Sequence, residues 1–425
     1  MSGQPSADSA RRAAEAVTRM EWPRLVAGLT RVVGDIGAAE ELAQDALVAA
    51  LEQWPRDGVP PNPGGWLMLT AKHRAIDRVR RNRTFARKLE LLGRDLVTEQ
   101  PPPDTNDDLV EDDLLRMMFT ACHPVLTEPA RVALTLRLLG GLTTEEIARA
   151  FVVPESTVAQ RIVRAKRTIA DKRVPYTVPR GAQLADRLAS VLAVVYLIFN
   201  EGYAATAGED WIREELCQDA LRLARMLGEL LPAEPETHGL VALLELQASR
   251  LPARTGTGEE VVLLDDQDRA RWDRLLIRRG LAALGRANST ARARALPPGR
   301  YALQAAIAAV HAMAATPEET DWRRIAGLYA VLAQRFPSPV VELNRAVAVS
   351  KVHGPAAGLE LVDALVAAGA LTDYHLRYAV RGDLLAQLGR YAQARAEFTR
   401  AAELTGNTSE QALLLDRAVA CAQAD

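Results

Sequence analysis

The segment from Leu142 to Val158 constrains the fold of this chain more than any other. Thr143 is followed three residues later by Glu146, the spacing of a capping box that begins a helix. Ala148 is small enough to let two helices approach each other closely, and Pro154 opens a new helix. These local signals predict two short helices joined by a tight turn, a helix-turn-helix.

The second of these helices has an apolar face and a basic face. Its core face is expected to consist of Val158, Ile162, Val163 and Ile169, which recur at helical spacing. In the major groove, Arg can pair with guanine and Gln with adenine, while other cations neutralise phosphates. The predicted DNA contacts on the basic face are Gln160, Arg161, Arg164, Lys166 and Arg167. A charged helix that is merely solvated is the alternative.

Two neighbouring segments upstream have opposite charge. Residues 70–94 contain nine Lys and Arg and two acids around apolar positions, which predicts a basic amphipathic helix. Residues 95–113 contain eight acids, no Lys or Arg and three consecutive prolines, which predicts an extended acidic linker. Pro55–Gly65 contains four prolines and three glycines and is predicted to be an irregular loop. Two amphipathic helices, divided at Gly34–Gly37, are expected over residues 11–54.

The composition of the chain favours helices throughout. Of its 425 residues, 48% are hydrophobic but only 5% aromatic, a balance typical of packed Ala- and Leu-rich helices. The longest apolar run, Leu188–Phe199, is shorter than the roughly 20 residues that span a bilayer, so we expect a buried core helix. Asn200 and Glu201, which follow it, are expected to hydrogen-bond at a buried helix end, with ligand binding as the alternative. Met1–Ala10 has no apolar signal region, so we predict a cytoplasmic protein without a membrane segment. Together with the composition, this predicts an all-α cytoplasmic protein.

The sequence has no arrangement that indicates catalysis or a cofactor. It lacks a phosphate-binding glycine loop and a plausible nucleophile–base pair, and its six His residues are scattered. Cys122, Cys217 and Cys421 lie far apart and belong to no metal-ligand motif, so each is expected to be a buried small hydrophobe. We predict a protein that is not an enzyme, with no catalytic residue, no cofactor and no metal site.

The C-terminal part of the chain is repetitive. Around Tyr378, small and large residues alternate as in a 34-residue tetratricopeptide repeat. The matching residues are Tyr378, Gly382, Gly389, Arg390, Tyr391, Ala394, Phe398 and Ala401. A helix pair over 340–350 and 355–368 keeps only the small residues Ala346 and Gly358. Because such a unit cannot bury its apolar face alone, the preceding helices are expected to stack on it as irregular repeats.

The pattern from Thr143 to Ile169 resembles the domain of extracytoplasmic-function (ECF) RNA polymerase sigma factors that reads the −35 promoter element. By that resemblance, Leu114–Leu139 supplies the preceding helices, which touch the flap of the polymerase β subunit. Residues 39–45 resemble the family segment that docks on the clamp helices of the β′ subunit. The core-polymerase contacts that the resemblance implies are Glu40, Glu41, Gln44 and Asp45.

Residues 66–81 resemble the family helix that opens and reads the −10 element, with His73 where Asn is common. The loop before this helix corresponds to the segment that captures a flipped −10 base, with a plain connecting loop as the alternative. The −10 contacts that follow from the resemblance are Asn62, Trp66, Lys72, His73, Arg74, Arg78, Arg80 and Arg81.

The resemblance implies a sigma factor that binds core RNA polymerase and directs promoter-specific initiation. The expected domains are sigma region 2 (11–94), the linker (95–113), sigma region 4 (114–174) and a helical regulatory extension resembling tetratricopeptide repeats (184–425). The expected partners are core polymerase, through its β and β′ subunits, promoter DNA, and a protein or small-molecule regulator at the extension. The alternative is a one-component helix-turn-helix regulator with sensing repeats, which has no need of the basic, Trp-containing segment Trp54–Arg83.

Overall fold

The computed structural model describes the backbone of residues 21–90, 107–256 and 261–424. Side chains are described for the same residues apart from 77–90, 107–111 and 182. The regular secondary structure of the described residues is almost entirely helical, which confirms the predicted all-α fold. Their contacts divide the chain into two compact units, one ending at Val194 and the other beginning at Val195.

The N-terminal unit consists of helices of 7 to 28 residues. Its elements are α1 (21–33), α2 (Ile36–Asp57), α3 (Pro63–Glu90), α4 (Asp107–Ala121), α5 (Glu128–Thr135), a π-helical turn (Leu136–Gly140), α6 (Thr144–Ala150), α7 (Glu155–Asp171) and the first half of α8 (Ala182–Tyr203). Helix α2 packs on α3, while α5 and α6 pack on α7. The largest fully buried side chains of this unit include Trp54, Phe119 and Leu134.

The predicted loop Pro55–Gly65 is shorter than expected. Pro55 lies inside the last turns of α2, and Pro63 is the first residue of α3, so only residues 58–62 connect the two helices. Proline is well tolerated at a first helical position, where the missing N–H has no acceptor within the helix.

The predicted acidic linker is also shorter. Residues 107–113 are not extended but form the first turns of α4, and residues 95–106 lie outside the described residues. The acids of this stretch suit a helix start because the positive end of the helix dipole stabilises negative charge there.

The C-terminal unit is a succession of packed helices. Its elements are the second half of α8, β1 (Ala207–Gly208), α9 (Glu214–Leu230), α10 (Pro235–Ala248), three 3₁₀ turns (Leu251–Ala253, Leu264–Asp266 and Arg269–Arg271), α11 (Arg274–Ala293), α12 (Arg300–Met313), α13 (Trp322–Arg335), α14 (Pro339–His353), α15 (Pro355–Ala367), α16 (His375–Gln387), α17 (Tyr391–Leu404), β2 (Gly406–Asn407) and α18 (Thr408–Ala424). The two-residue strands pair in parallel, and from α12 onward each helix packs on the next.

Small residues let the last helix pairs approach closely, as the repeat pattern predicts. A Cβ atom on Gly382 of α16 would lie 2.9 Å from the ring of Phe398 on α17. A Cβ atom on Gly358 of α15 would lie 2.8 Å from the carbonyl oxygen of Ala346 on α14. Since Phe398 is 1% exposed and Ala346 fully buried, these contacts are the centre of the repeat core.

Helix α8 contains the apolar run of the chain. By length and composition alone, Gln183–Tyr203 could cross a membrane, but the core helix of a soluble protein meets the same criterion. Its residues Leu188, Val191 and Leu192 are buried in the N-terminal unit. At its C-terminal end, Glu201 is 8% exposed and pairs with Arg213. The predicted hydrogen-bonding role of Glu201 at a buried helix end is therefore confirmed.

Candidate nucleic-acid and polymerase interface

The predicted helix-turn-helix is formed by α6 and α7, and the capping box at its start is complete. The Thr143 hydroxyl accepts a hydrogen bond from the Glu146 N–H at 3.1 Å, and the Glu146 carboxylate accepts one from the Thr143 N–H at 2.7 Å. Ala148 is 5% exposed where the helices meet. Pro154 stands immediately before α7, as expected. Two helix-start donors are satisfied within four residues, which is why this element could be predicted locally.

Helix α7 buries a different set of residues from the one predicted. The buried residues are Val158, Ile162, Ala165 and Ile169, whereas Val163 is 64% exposed. The prediction that Val163 belongs to the core face was wrong, because the spacing of 4, 3 and 4 already fills that face. Val163 joins an exposed stripe at helical spacing with Gln160, Arg164 and Arg167.

One predicted DNA contact and one predicted polymerase contact bind each other. Lys166 of α7 and Arg137 of the π-helical turn both form ion pairs with Glu40 of α2, the latter at 3.0 Å. Glu40 is 4% exposed, so it does not lie on the open face that the sequence suggests for it. Arg137 also lies over the ring of Trp22, 5.5 Å from its centroid. Since a buried carboxylate requires compensating charge, Glu40 draws both cations to it.

The other predicted polymerase contacts lie on the exposed face of α2. Glu41, Gln44 and Asp45 are exposed, and Val48 and Leu51 of the same helix are exposed to 53% and 39%. The face thus combines acids with large apolar side chains. The apolar members were missed by the sequence reasoning, although positions 44, 48 and 51 follow the spacing of one helix face.

At the start of α3, two predicted −10 contacts have structural roles. The Asn62 side chain accepts a hydrogen bond from the Gly65 N–H at 2.9 Å and so caps the helix. The ring of Trp66 packs edge-on against Trp54, with 5.6 Å between centroids. Asn62 is nevertheless exposed and Trp66 half-buried, so part of each side chain faces solvent.

Further along α3, the basic residues point in different directions. His73 and Arg74 are exposed, and Arg74 lies 3.9 Å from Asp45 of α2. Lys72 is half-buried, and burial together with nearby Arg31 lowers its pKa, although Asp113 opposes this. The remaining predicted −10 contacts are in the helix but outside the described side chains; they are Arg78, Arg80 and Arg81.

Asp113 of α4 is a second buried carboxylate between helices of this unit. It is 2% exposed and accepts hydrogen bonds at 2.8 Å from both Arg31 of α1 and Arg116 of its own helix. Burial raises the pKa of Asp113 despite the two guanidinium groups. The Tyr176 hydroxyl lies 3.0 Å from the carbonyl oxygens of Ala27 and Asp113. Helices α1 and α4 are therefore joined by polar contacts as well as by apolar packing.

The three cysteines are buried, as predicted. Burial raises the pKa of the Cys122 thiol to about 11 and that of Cys217 to about 12, which disfavours the reactive thiolate. In the part of the chain that the structure describes, no group of three His, Cys, Asp or Glu residues could hold a metal ion.

Three protein families match segments of the chain. The family described as Sigma-70 region 2 matches residues 19–85, and Sigma-70, region 4 matches residues 116–169. Residues 187–288 match a family of unknown function, DUF6596. A capped helix-turn-helix with a basic exposed stripe, in one unit with a second basic helix, thus defines a DNA-binding protein of the sigma-70 type.

Two similar proteins identify which sigma-70 family the chain belongs to. SigK of Mycolicibacterium vanbaalenii, an ECF RNA polymerase sigma factor, is 31% identical over 139 residues, which cover 32% of this chain and 68% of SigK. SigK of Mycobacterium tuberculosis H37Rv is 30% identical over 143 residues, 33% of this chain and 74% of that protein. The chain therefore belongs to the ECF family of RNA polymerase sigma factors, which are transcription initiation factors.

Two further comparisons cover nearly the whole chain. An uncharacterized protein of Rhizobium meliloti strain 1021 is 43% identical over 400 residues, 92% of both chains. The crystal structure of yeast Tom70 aligns over 98% of this chain and 85% of that one, at 10% identity and a TM-score of 0.37. That score is too low for a common fold to be inferred. The helical-repeat character of the C-terminal unit follows from its own helix pairs.

Proposed function

We propose that the chain directs promoter-specific initiation with α7 at the −35 element and α3 at the −10 element. The observation that carries the proposal is the exposed stripe of Gln160, Val163, Arg164 and Arg167 on the second helix of a capped helix-turn-helix. Membership of the sigma family supports it, and the proposed site of action is the cytoplasm, where polymerase acts.

In vitro transcription with purified core polymerase and genomic templates, followed by start-site mapping, tests this function. Addition of the full chain should produce promoter-specific transcripts. A one-component regulator, the second candidate, would bind an operator but would not stimulate core polymerase that lacks another sigma factor. Failure both to co-purify with core polymerase and to stimulate initiation contradicts the proposal.

Within α7, we expect a division between base and phosphate contacts. Arg161 and Arg164 read bases, whereas Lys166 and Arg167, further along the helix, contact phosphates. Losing a base-reading Arg should cost about 1–3 kcal/mol and relax specificity at one position. Losing a phosphate contact should weaken binding to all DNA sequences alike. It should also reduce the slope of log affinity against log salt concentration by about 1. Equal, sequence-independent losses for all four alanine variants would refute the division.

The exposed face of α2 is proposed to dock on the β′ subunit. Glu41, Gln44 and Asp45 supply charge and hydrogen bonds, and Val48 and Leu51 supply apolar area at the centre of the contact. Val48→Asp should weaken binding to core polymerase strongly while leaving DNA contacts in place. Val152→Asp, at a residue 53% exposed in the turn of the helix-turn-helix, is the matched control for adding charge to an exposed valine. Equal losses of core binding in the two variants would count against this face.

The pairing of Glu40 with Lys166 supports a closed resting form of the two promoter-reading domains. In this form a buried carboxylate of the predicted polymerase-binding segment and a proposed phosphate contact neutralise each other. Engagement of polymerase and promoter must exchange this ion pair for intermolecular ones. The exchange is feasible because the Lys166 side chain is 24% exposed, so phosphate or water can replace the carboxylate as it leaves.

The C-terminal unit is proposed to regulate the N-terminal one, in place of a separate regulator. A tethered domain acts at an effective concentration of millimolar order, so weak docking suffices to change activity. A truncation after residue 180 removes the hydrogen bonds of Arg187 and Ser190 to carbonyl oxygens of Phe119 and Cys122. A second truncation after residue 205, which keeps α8, and a third that removes 374–425 therefore accompany it. If the folded truncated forms match the full chain in polymerase affinity and transcription, the regulatory role is wrong.

A further inference from the structure

A cavity of about 390 Å³ lies within the C-terminal unit, lined by α8, α10, α12, α13 and α14 and by the turns that follow α10. Its volume is in the range of sites for small molecules rather than for protein segments. Helix α12 lines it with residues one turn apart, among them Arg300, Gln304, Ile307 and His311. The cavity belongs to none of the surfaces assigned to DNA or polymerase.

The charge of this cavity is positive. Arg250 and Arg300 line it, and no Asp or Glu is among its lining residues. Neither arginine has an ion pair with an acid among the described residues. The nearby carboxylate of Glu236 accepts hydrogen bonds from the N–H groups of Tyr301 and Ala302, at 2.9 and 3.1 Å, and so caps α12. Two guanidinium groups in a partly enclosed space favour an oxyanion, which can accept their hydrogen bonds in pairs.

Three buried polar atoms at the cavity lack a hydrogen-bond partner among the described residues. They are Oε1 of Gln247, Nε of Arg250 and Nδ1 of His311. Each of these atoms has less than 1 Å² of accessible surface, so the side chain that carries it has to turn toward the cavity before a ligand can hydrogen-bond to it. Burial, with Arg250 and Arg269 nearby, lowers the pKa of His311 to about 4, so its ring is neutral at pH 7 and able to donate or accept.

The rest of the lining is apolar and aromatic. Leu243, Ile307, Leu332, Phe336 and Val341 surround the polar groups, and burial raises the pKa of Tyr329 to about 12, which keeps its hydroxyl protonated. We infer that this cavity binds a small organic acid, with its oxyanion head at Arg250 and Arg300 and its apolar body against these side chains. The inference goes beyond the sigma function, since it assigns a ligand class to the C-terminal unit.

Binding of three probes to the full-length chain, measured by isothermal titration calorimetry, tests the inference. The probes are 3-phenylpropionate, phenyl phosphate and the neutral 3-phenylpropanamide. The carboxylate or the phosphate should bind. The amide should bind at least about tenfold more weakly, since hydrogen bonds to charged groups are the stronger ones. The preferred acid identifies the head group.

Variants locate the site. Arg250→Gln and Arg300→Gln should each weaken binding of the preferred acid by about tenfold or more. Arg335→Gln is the matched control, because Arg335 lies over the same Phe336 ring as Arg300, at 5.6 Å against 5.3 Å, but does not line the cavity. Arg300 is exposed, so its variant is expected to fold even if the Arg250 variant does not.

The inference is overturned if neither acid binds the folded chain at millimolar concentration. It is equally overturned if Arg300→Gln binds the acids as well as Arg335→Gln does, or if the amide binds as tightly as the acids. Because binding is measured without polymerase or DNA, failure here is distinct from failure of the proposed sigma function.

Discussion

Ion pairs join helices in both units of the molecule, and Glu245 joins Arg225 and Arg279 in the C-terminal one, but the last helices of that unit also interlock. In the N-terminal unit, buried carboxylates join helices that are distant in sequence, as Glu40 joins Arg137 and Lys166 and Asp113 joins Arg31. In the last helices of the C-terminal unit, glycines and alanines admit a large ring, as Gly382 admits Phe398. An ion pair can be exchanged for another partner, whereas an interlocked ring leaves only when the helices separate. The interlocked helices therefore suit a stable scaffold.

The largest expected effect tests the interlocked core. Phe398→Ala removes a ring that is 1% exposed and should cost about 3–5 kcal/mol, because a cavity remains beside Gly382. Hydrogen-exchange mass spectrometry should show lost protection in α16 and α17. Val419→Ala, at a residue that is 56% exposed on α18, should change little. Similar losses in both variants would mean that the interlocked ring is not what holds α16 and α17 together.

The pH dependence of stability tests whether His311 of the C-terminal unit is buried in its neutral form. The folded pKa of His311 is about 4 against an ordinary 6.5, so the unfolded chain takes up this proton first as the pH falls. Stability should be highest above pH 6.5 and decline toward pH 4, by at most about 3 kcal/mol from this residue. Unfolding can be followed by the fluorescence of Trp322, whose ring lies 5.2 Å from His311. His311→Gln should flatten the decline; parallel curves for the two proteins would exclude His311 as its cause.

A smaller effect tests whether the N-terminal unit opens. Glu40→Gln should destabilise the N-terminal unit by about 1–3 kcal/mol, since Lys166 and Arg137 lose a charged partner. It should also increase nonspecific DNA affinity, because Lys166 is released. The adjacent Glu41→Gln is on the exposed face, so it should change stability by less than about 0.5 kcal/mol while weakening core-polymerase binding. Urea unfolding and DNA-binding titrations at several salt concentrations separate the two variants. Unchanged DNA affinity in Glu40→Gln would argue against a closed form.

The smallest effect concerns a local contact on the same unit. Thr143→Ala removes the capping hydroxyl and should cost about 1 kcal/mol, within the usual range of 0.5–2. Thr143→Ser keeps the hydroxyl and should restore stability to near the original value. Thermal unfolding of the three proteins, together with their affinity for −35 DNA, measures the difference. If serine fails to restore stability, the side-chain hydrogen bond is not the cause.

The features that could be predicted from sequence are those whose partners lie within a few residues. The capping box of Thr143 and Glu146, the helix start after Pro154 and the small residues facing Phe398 depend on spacing along one or two helices. Their geometry follows from helical periodicity, which a sequence displays directly. The exposure of Val163 could have been predicted as well, because Ile162, Ala165 and Ile169 already occupy the core face in the turns around it.

The sequence by itself determined the all-α architecture, the helix-turn-helix and the sigma-family resemblance, because local periodicity and short motifs carry that information. Only the tertiary structure decided that Glu40 is buried against Lys166, 126 positions away, and that residues of five helices line a positively charged cavity. An acid on an amphipathic helix looks the same in sequence whether it faces solvent or a distant cation. Burial and pairing are properties of the packed chain, so they depend on which helices meet, and that choice is made by the core as a whole.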